Sequence, residues 1–239
     1  MPGSRPTFAL IPGAGGDAWF WHRVVPELQA RGFDAIPIEL PAADETAGLE
    51  EYADAVVEAV GDRAPLVVVA QSLAGFVAPL VCERLDVALL VLLNAMFPAP
   101  GETAGEWWDA TGWAEARAAK AARDDRPLVE DDVIGDFFHD VSPDVIAEVF
   151  ERGAPRQSAR PFADPPPVAT AWPDVPARVL IGRDDRFFPA EFQRRIAEER
   201  LGITPDELPG GHVLALSQPV ALAERLAAYW HEIEGGPAS

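Results

Sequence analysis

An α/β fold is the class this sequence predicts: a mainly parallel sheet of about six strands, helices on both faces, and a helical insertion. Three observations predict it. Short apolar runs alternate with longer helical patterns from Phe8 to Leu93. The runs are apolar throughout rather than at every second residue, as in strands buried on both faces. The alternation stops between Pro98 and Pro176 and resumes at Arg178.

Phe8-Ala9-Leu10-Ile11 is the first strand and runs into the loop Pro12-Gly13-Ala14-Gly15-Gly16. Asp17 is placed to cap a helix over Trp19 to Arg31, which Gly32 stops. Asp34 to Leu40 is the second strand, closed by Pro41. Leu49 to Val60 is helical, with Tyr52, Ala55, Val56, Ala59 and Val60 on one face. Val67, Val68 and Val69 make a third strand, and beyond Ser72 the apolar spacing turns helical at Leu73, Val77, Leu80, Val81 and Leu85. Val87 to Leu93 is the fourth strand. Such alternation means parallel strands joined by crossovers.

The interruption reads as a lid of residues 98–176 inserted into a single domain of residues 1–239. It holds helical patterns at Ala114 to Ala122 and Pro143 to Glu151, and a proline-rich exit from Pro155 to Pro176. Phe97, Trp107, Trp108, Trp113, Phe137 and Phe138 are candidate pocket walls. Arg178 to Ile181 is then a strand, Pro189 to Arg200 a helix, Ile203 to Leu208 a last strand, and Pro219 to Trp230 the terminal helix.

Composition narrows the chemistry. The chain has 239 residues, 49% hydrophobic, enough for a sizeable core. Its net charge of −20 repels phosphate backbones and anionic lipid, so neither nucleic acid nor a membrane is an expected partner. A single cysteine, Cys82, allows no internal disulfide and no cysteine-based metal cluster. Met1 to Pro6 carries no apolar signal region, and a cytoplasmic protein is expected. No metal or cofactor is expected.

Four strand ends carry residues suited to one reaction. Ligands in open parallel sheets bind at the carboxyl ends of the strands. Ser72 ends the third strand at a strand-to-helix turn, with small Ala70 and Ala74 two positions either side, a relaxed nucleophile elbow. Asp184 and Asp185 both end the strand at Ile181, and either can orient a base. His212 follows two glycines after the last strand. Its rival as base is His139, in Phe137-Phe138-His139-Asp140. The Pro12-Gly13-Ala14 loop can bring the Ala14 N–H beside that of Leu73 as an oxyanion hole. It lacks the Gly-Lys-Ser/Thr of a phosphate loop, and Trp19 breaks the dinucleotide pattern.

The order Ser72, aspartate, His212 resembles that of the α/β-hydrolase superfamily. Ile11-Pro12-Gly13-Ala14-Gly15-Gly16 is similar to its oxyanion loop, with proline in place of histidine. Gly182-Arg183-Asp184-Asp185 resembles its acid loop, whose last position implies Asp185 as the acid. Pro209-Gly210-Gly211-His212 resembles its histidine loop. Within the superfamily the chain looks most like small esterases related to plant methyl-ester hydrolases and hydroxynitrile lyases, which begin directly at the first parallel strand. The lyases place threonine and lysine where Gly13 and Val213 stand here. The resemblance therefore implies ester hydrolysis of a small molecule by Ser72, Asp185 and His212, with Ala14 and Leu73 as oxyanion donors. Lyase chemistry, a lactone, amide or thioester substrate, a non-catalytic small-molecule binder on the same fold, and a homodimer remain open.

Overall fold

Apolar strands with no tight turn between them can join only through crossovers, and crossovers make parallel neighbours. The computed structural model, which describes residues 5–153, 156–168 and 171–235, has that architecture. Its strands are β1 (Thr7–Ile11), β2 (Asp34–Pro37), β3 (Leu66–Gln71), β4 (Val87–Leu93), β5 (Ala177–Gly182) and β6 (Asp206–Leu208). They form one sheet in the order β2-β1-β3-β4-β5-β6, and every neighbouring pair is parallel. The pairings Ile11↔Ala70, Gln71↔Leu93 and Leu93↔Leu180 bring the carboxyl ends of β1, β3, β4 and β5 side by side.

The pleat sends alternate residues of each strand to opposite faces. Ala9, Ile11, Val68, Ala70, Leu90, Leu92, Val179 and Ile181 belong to one core, covered by α2 (Leu49–Val60), α3 (Ala78–Arg84) and α9 (Ala190–Leu201). Phe8, Leu10, Val67, Val69, Leu89, Val91, Leu93 and Leu180 belong to the other, under α1 (Val24–Ala30) and α11 (Pro219–Glu234). α2 and β4 occupy the expected spans.

Prolines reset several boundaries. The first helix is divided into a 3₁₀ turn over Ala18–Trp21 and α1, where Pro26 sits in the first turn and lacks an N–H that would have no partner anyway. The pattern after Ser72 divides likewise into a 3₁₀ turn over Ser72–Phe76 and α3, with Pro79 in its first turn. β2 stops at Pro37, although the Ile38 N–H still bonds the Leu10 carbonyl at 2.9 Å. β6 is only three residues long because Pro205 offers no ladder donor before it.

Between β4 and β5 run α4 (Trp107–Thr111), α5 (Trp113–Arg123), α6 (Val133–Phe137), α7 (Pro143–Glu151) and α8 (Arg160–Ala163). The short α4, α6 and α8 lack the two turns that make a period legible. Pro155 of the proline-rich exit lies outside the described residues. α10 (Leu214–Ser217) follows His212, and α7 packs Val145 and Val149 near Val213 and Leu216 in a third apolar cluster. Burial pushes the Cys82 thiol on α3 up to about 12, so it is a packed group rather than a thiolate. Among the described residues no helix is long and apolar enough to cross a membrane.

Candidate active site

β3 delivers Ser72 into the turn with φ 53°, in the left-handed region that non-glycine residues rarely occupy. The turn is held rather than relaxed: the Ser72 carbonyl accepts the Met96 N–H at 3.0 Å from the end of β4. Strain of this kind costs on the order of 1–3 kcal/mol and persists where the surroundings over-determine it. Its effect is to raise the Ser72 side chain into a cavity of about 290 Å³ at the carboxyl edge of the sheet.

Asp185 and His212 meet beside it. His212 Nδ1 lies 2.8 Å from Asp185 Oδ2, and both side chains are buried. The other carboxylate oxygen, Oδ1, accepts the Phe187 and Phe188 N–H groups at 2.8 Å each. With Oδ1 so occupied, Oδ2 is aimed at the imidazole, which leaves Nε2 as the nitrogen available toward the cavity that His212 and Ser72 both line. Nε2 is buried without a hydrogen-bond partner among the described residues. A buried nitrogen left open in a residue that shares a cavity with a serine is free to act as a proton acceptor there. Phe137, Phe187 and Phe188 stand edge-on to the ring at centroid distances of 5.2, 5.3 and 5.0 Å. Their apolar enclosure lowers the local dielectric and strengthens the Asp185 pairing.

Of the two adjacent aspartates, the structure brings only Asp185 to His212. Asp184 turns the other way: its Oδ2 accepts the Gly210 N–H at 3.1 Å and its own N–H bonds the Gly210 carbonyl at 2.9 Å, pinning the histidine loop to β5. His139 lies beneath that loop and outside the cavity lining. Burial first, then the positive charge of Arg186, hold its imidazole below the usual histidine range.

Ala14 and Leu73 both line the cavity beside Ser72. The β1 loop presses on the serine so closely that a Cβ at Gly13 would sit 2.8 Å from Ser72 Cβ. No side chain larger than hydrogen fits there, and the backbone alone faces the serine.

Half of the expected pocket walls are displaced. Trp108, Phe137 and Phe138 line the cavity. Phe97 does not: it is buried in the core over the α3 face. Trp107 does not either, since neighbours on a helix point about 100° apart, and it packs against Phe188 and Phe192 at 5.3 and 5.6 Å. Trp113 is drawn away by its indole N–H, which bonds the Phe187 carbonyl at 2.7 Å. The remaining walls include Phe20, Met96, Val133, Gln157, Phe162, Phe187 and Val213, which sequence reasoning missed. Phe187 had a signal, two residues beyond Asp185; Phe20, Val133, Gln157 and Phe162 had none, because separate short elements bring them in.

A further missed residue supports the site from below. Asn94, buried at the end of β4 with φ 42°, donates to the Gly211 and His212 carbonyls at 3.1 and 2.8 Å. Its Oδ1 accepts the Gly182 N–H at 2.7 Å. One amide thus ties β4, β5 and the histidine loop together.

This geometry agrees with what the chain resembles. It is 39% identical over 110 residues to a probable esterase, PIR7A, of Oryza sativa subsp. indica, covering 41% of this chain and 42% of the rice protein. A second rice protein, esterase PIR7B of subsp. japonica, is 34% identical over 115 residues, 43% of each chain. The aligned region thus spans less than half the length of these curated relatives. Among solved structures, a pyrethroid hydrolase from Sphingobium faniae JZ-2 superposes with a TM-score of 0.73 at 22% identity, over 95% of this chain and 97% of that one. The methylesterase MES16 from Arabidopsis gives 0.70 at 21% identity, over 94% and 98%. These likenesses establish the fold. The family model described as "Alpha/beta hydrolase family" matches residues 8–225, nearly the whole length, and the chain belongs to that family.

Proposed function

We propose that the protein is a carboxylic ester hydrolase acting on small, largely apolar esters through an acyl-enzyme on Ser72. One observation carries the reading: a strained serine faces a cavity that it shares with a histidine whose Nδ1 is held 2.8 Å from a buried aspartate. The esterase names of the rice relatives point the same way. His212 takes the Ser72 proton as the serine oxygen bonds to the ester carbonyl carbon. The carbonyl π electrons move to oxygen, and that oxyanion is held by the Ala14 and Leu73 N–H groups. On collapse the alcohol leaves with the proton from His212. Water, deprotonated by the same imidazole, then frees the acid and restores the serine. Asp185 holds the tautomer and stabilises the imidazolium. Aromatic and aliphatic walls favour an uncharged substrate, the cavity being at the small end of the roughly 300–1,000 Å³ range of ligand pockets.

The test is covalent labelling. A fluorophosphonate probe is expected to attach to one residue, Ser72, by mass mapping, after which an acyl-length series of p-nitrophenyl esters defines the size limit. Labelling elsewhere, or none, would overturn the reading. Mandelonitrile is expected to release no cyanide, because Val213, not lysine, follows His212 along the cavity.

The two histidines separate cleanly. His212→Ala is expected to lose roughly the same activity as removal of the serine, near a million-fold by analogy with other triads. His139→Ala should stay within about tenfold of wild type, since its ring underlies the Gly211 backbone and does not line the cavity. Steady-state kinetics on p-nitrophenyl acetate reads both, and equal losses would reassign the base.

A further inference from the structure

Gln157 lies in the irregular exit of the insertion, yet its side chain reaches the β1 loop. Its Oε1 accepts the Gly15 N–H at 3.0 Å. Its Nε2 donates to the Tyr52 hydroxyl at 3.0 Å and to the Ser158 carbonyl at 2.9 Å. Both amide hydrogens and the carbonyl oxygen are therefore committed, which settles the orientation of the amide. The strap around it is tied down as well. The Ser158 N–H bonds the Ala42 carbonyl at 2.8 Å, and Asp164 Oδ2 caps α2 by accepting the Leu49 N–H at 2.6 Å.

The atom Gln157 grips matters more than the number of bonds. Gly13-Ala14-Gly15-Gly16 is a four-residue turn closed by the Gly16 N–H on the Gly13 carbonyl at 3.0 Å. Gly15, its third residue, has φ 67° while Ala14 is not in the positive-φ region, the signature of a type II turn. Type II and type I turns interconvert by rotating their central peptide, here Ala14–Gly15. That rotation exchanges the directions of the Gly15 N–H and the Ala14 carbonyl. In the flipped form the Ala14 oxygen would oppose Gln157 Oε1, oxygen against oxygen, at the rim of the cavity that Gly15 and Gln157 both line. A carbonyl dipole turned there would repel the negative charge that develops at the substrate oxygen, and glycines at positions 13, 15 and 16 leave the loop little intrinsic resistance to flipping.

We propose that Gln157 is a positioning residue for the oxyanion loop: by accepting the Gly15 N–H it holds the Ala14–Gly15 peptide with the Ala14 carbonyl turned away from the cavity rim, so that no carbonyl dipole opposes the negative charge the Ala14 N–H, on the preceding peptide, is to hold. The proposal rests on the serine-hydrolase reading above. Tyr52 extends it. Buried on α2, its phenol is pushed up by burial and stays protonated, and it steadies the amide from behind without lining the cavity.

The experiment uses the intact protein and three chains: wild type, Gln157→Met and Tyr52→Phe. Methionine keeps the length of glutamine and removes the strong acceptor. Gln157→Met is expected to lower kcat by about 10- to 100-fold, as small misplacements of catalytic groups do, with KM within about twofold. The loss should be the same for acetyl, butyryl and hexanoyl p-nitrophenyl esters. A trifluoromethyl ketone, to which the Ser72 oxygen adds to leave an oxyanion, should bind more weakly by the factor lost in kcat/KM. Tyr52→Phe should show the same split at about three- to fivefold. If the loss lies in KM, varies with acyl length or spares the ketone, Gln157 is a pocket wall only and the proposal falls. Fluorophosphonate labelling separates the two levels. A wild-type chain not labelled at Ser72 removes the hydrolase reading and this proposal with it, whereas a labelled wild type with an unimpaired Gln157→Met removes this proposal alone.

Discussion

Ser72→Ala is expected to abolish ester hydrolysis to within a few parts per million of wild type while leaving the fold intact. The kinetic loss follows from the role: without the hydroxyl there is no acyl-enzyme, and comparable nucleophile deletions cost about a million-fold in kcat. The structural tolerance follows from the environment. Ser72 Oγ makes no hydrogen bond among the described residues, so no partner is orphaned. Alanine meets the same backbone demand at φ 53° as serine does, so the strain is unchanged. Thermal denaturation should place Ser72→Ala within about 2–3 °C of wild type, the shift that roughly 1 kcal/mol makes in a chain of this length. Ser72→Gly, equally inactive, should melt higher than Ser72→Ala because glycine accepts the left-handed conformation without strain. Retained turnover of p-nitrophenyl acetate by either variant would remove serine from the mechanism.

Gly75→Ala carries the largest expected cost in stability. Gly75 lies in the turn after Ser72, where it faces the carboxyl end of β4. A Cβ there would fall inside the Met96 carbonyl oxygen, 3.0 Å from the Met96 carbonyl carbon and 3.3 Å from Ala95 Cβ. The obstacle is backbone, which cannot rotate aside as a side chain can. Moving it would also pull on Asn94, whose amide holds the histidine loop, and on the Met96 N–H that fixes Ser72. Overpacking a rigid interior costs typically about 1–3 kcal/mol, and a backbone clash belongs at or above the upper end. The expected fall in Tm is roughly 6–12 °C, with activity falling alongside it because Met96 is also a cavity wall. A Gly75→Ala protein that melts and turns over like wild type would show that the elbow and β4 are not packed as described.

The position of that crowding was only partly legible. The motif points to Ala70 and Ala74, and both are buried as the turn requires, but the tightest approach falls one residue later, at Gly75. The same pattern runs through the site. Ser72 and Asp185 were readable because each follows an apolar strand, and His212 because two glycines precede it after a short last strand; parallel strands put their ends on one edge. Asp185 was separated from Asp184 by resemblance in the sequence; in the structure the two point apart, one to the imidazole and one to Gly210.

By itself the sequence determined the parallel sheet, the helix of residues 49–60, and the three strand ends that carry Ser72, Asp185 and His212 on one edge of the sheet. These depend on periodicity and chain order, which are local or topological properties. Only the tertiary structure decided the pocket and its supports. Trp107 and Trp108 are adjacent in sequence and identical in chemistry, yet one is core and the other faces the cavity, because a helix turns neighbours apart. Gln157 and Asn94 carry no motif; they matter because folding brings Gly15 and the His212 carbonyl within hydrogen-bond reach. Such contacts join residues 142 and 118 positions apart, and no pattern within a window of sequence can express them.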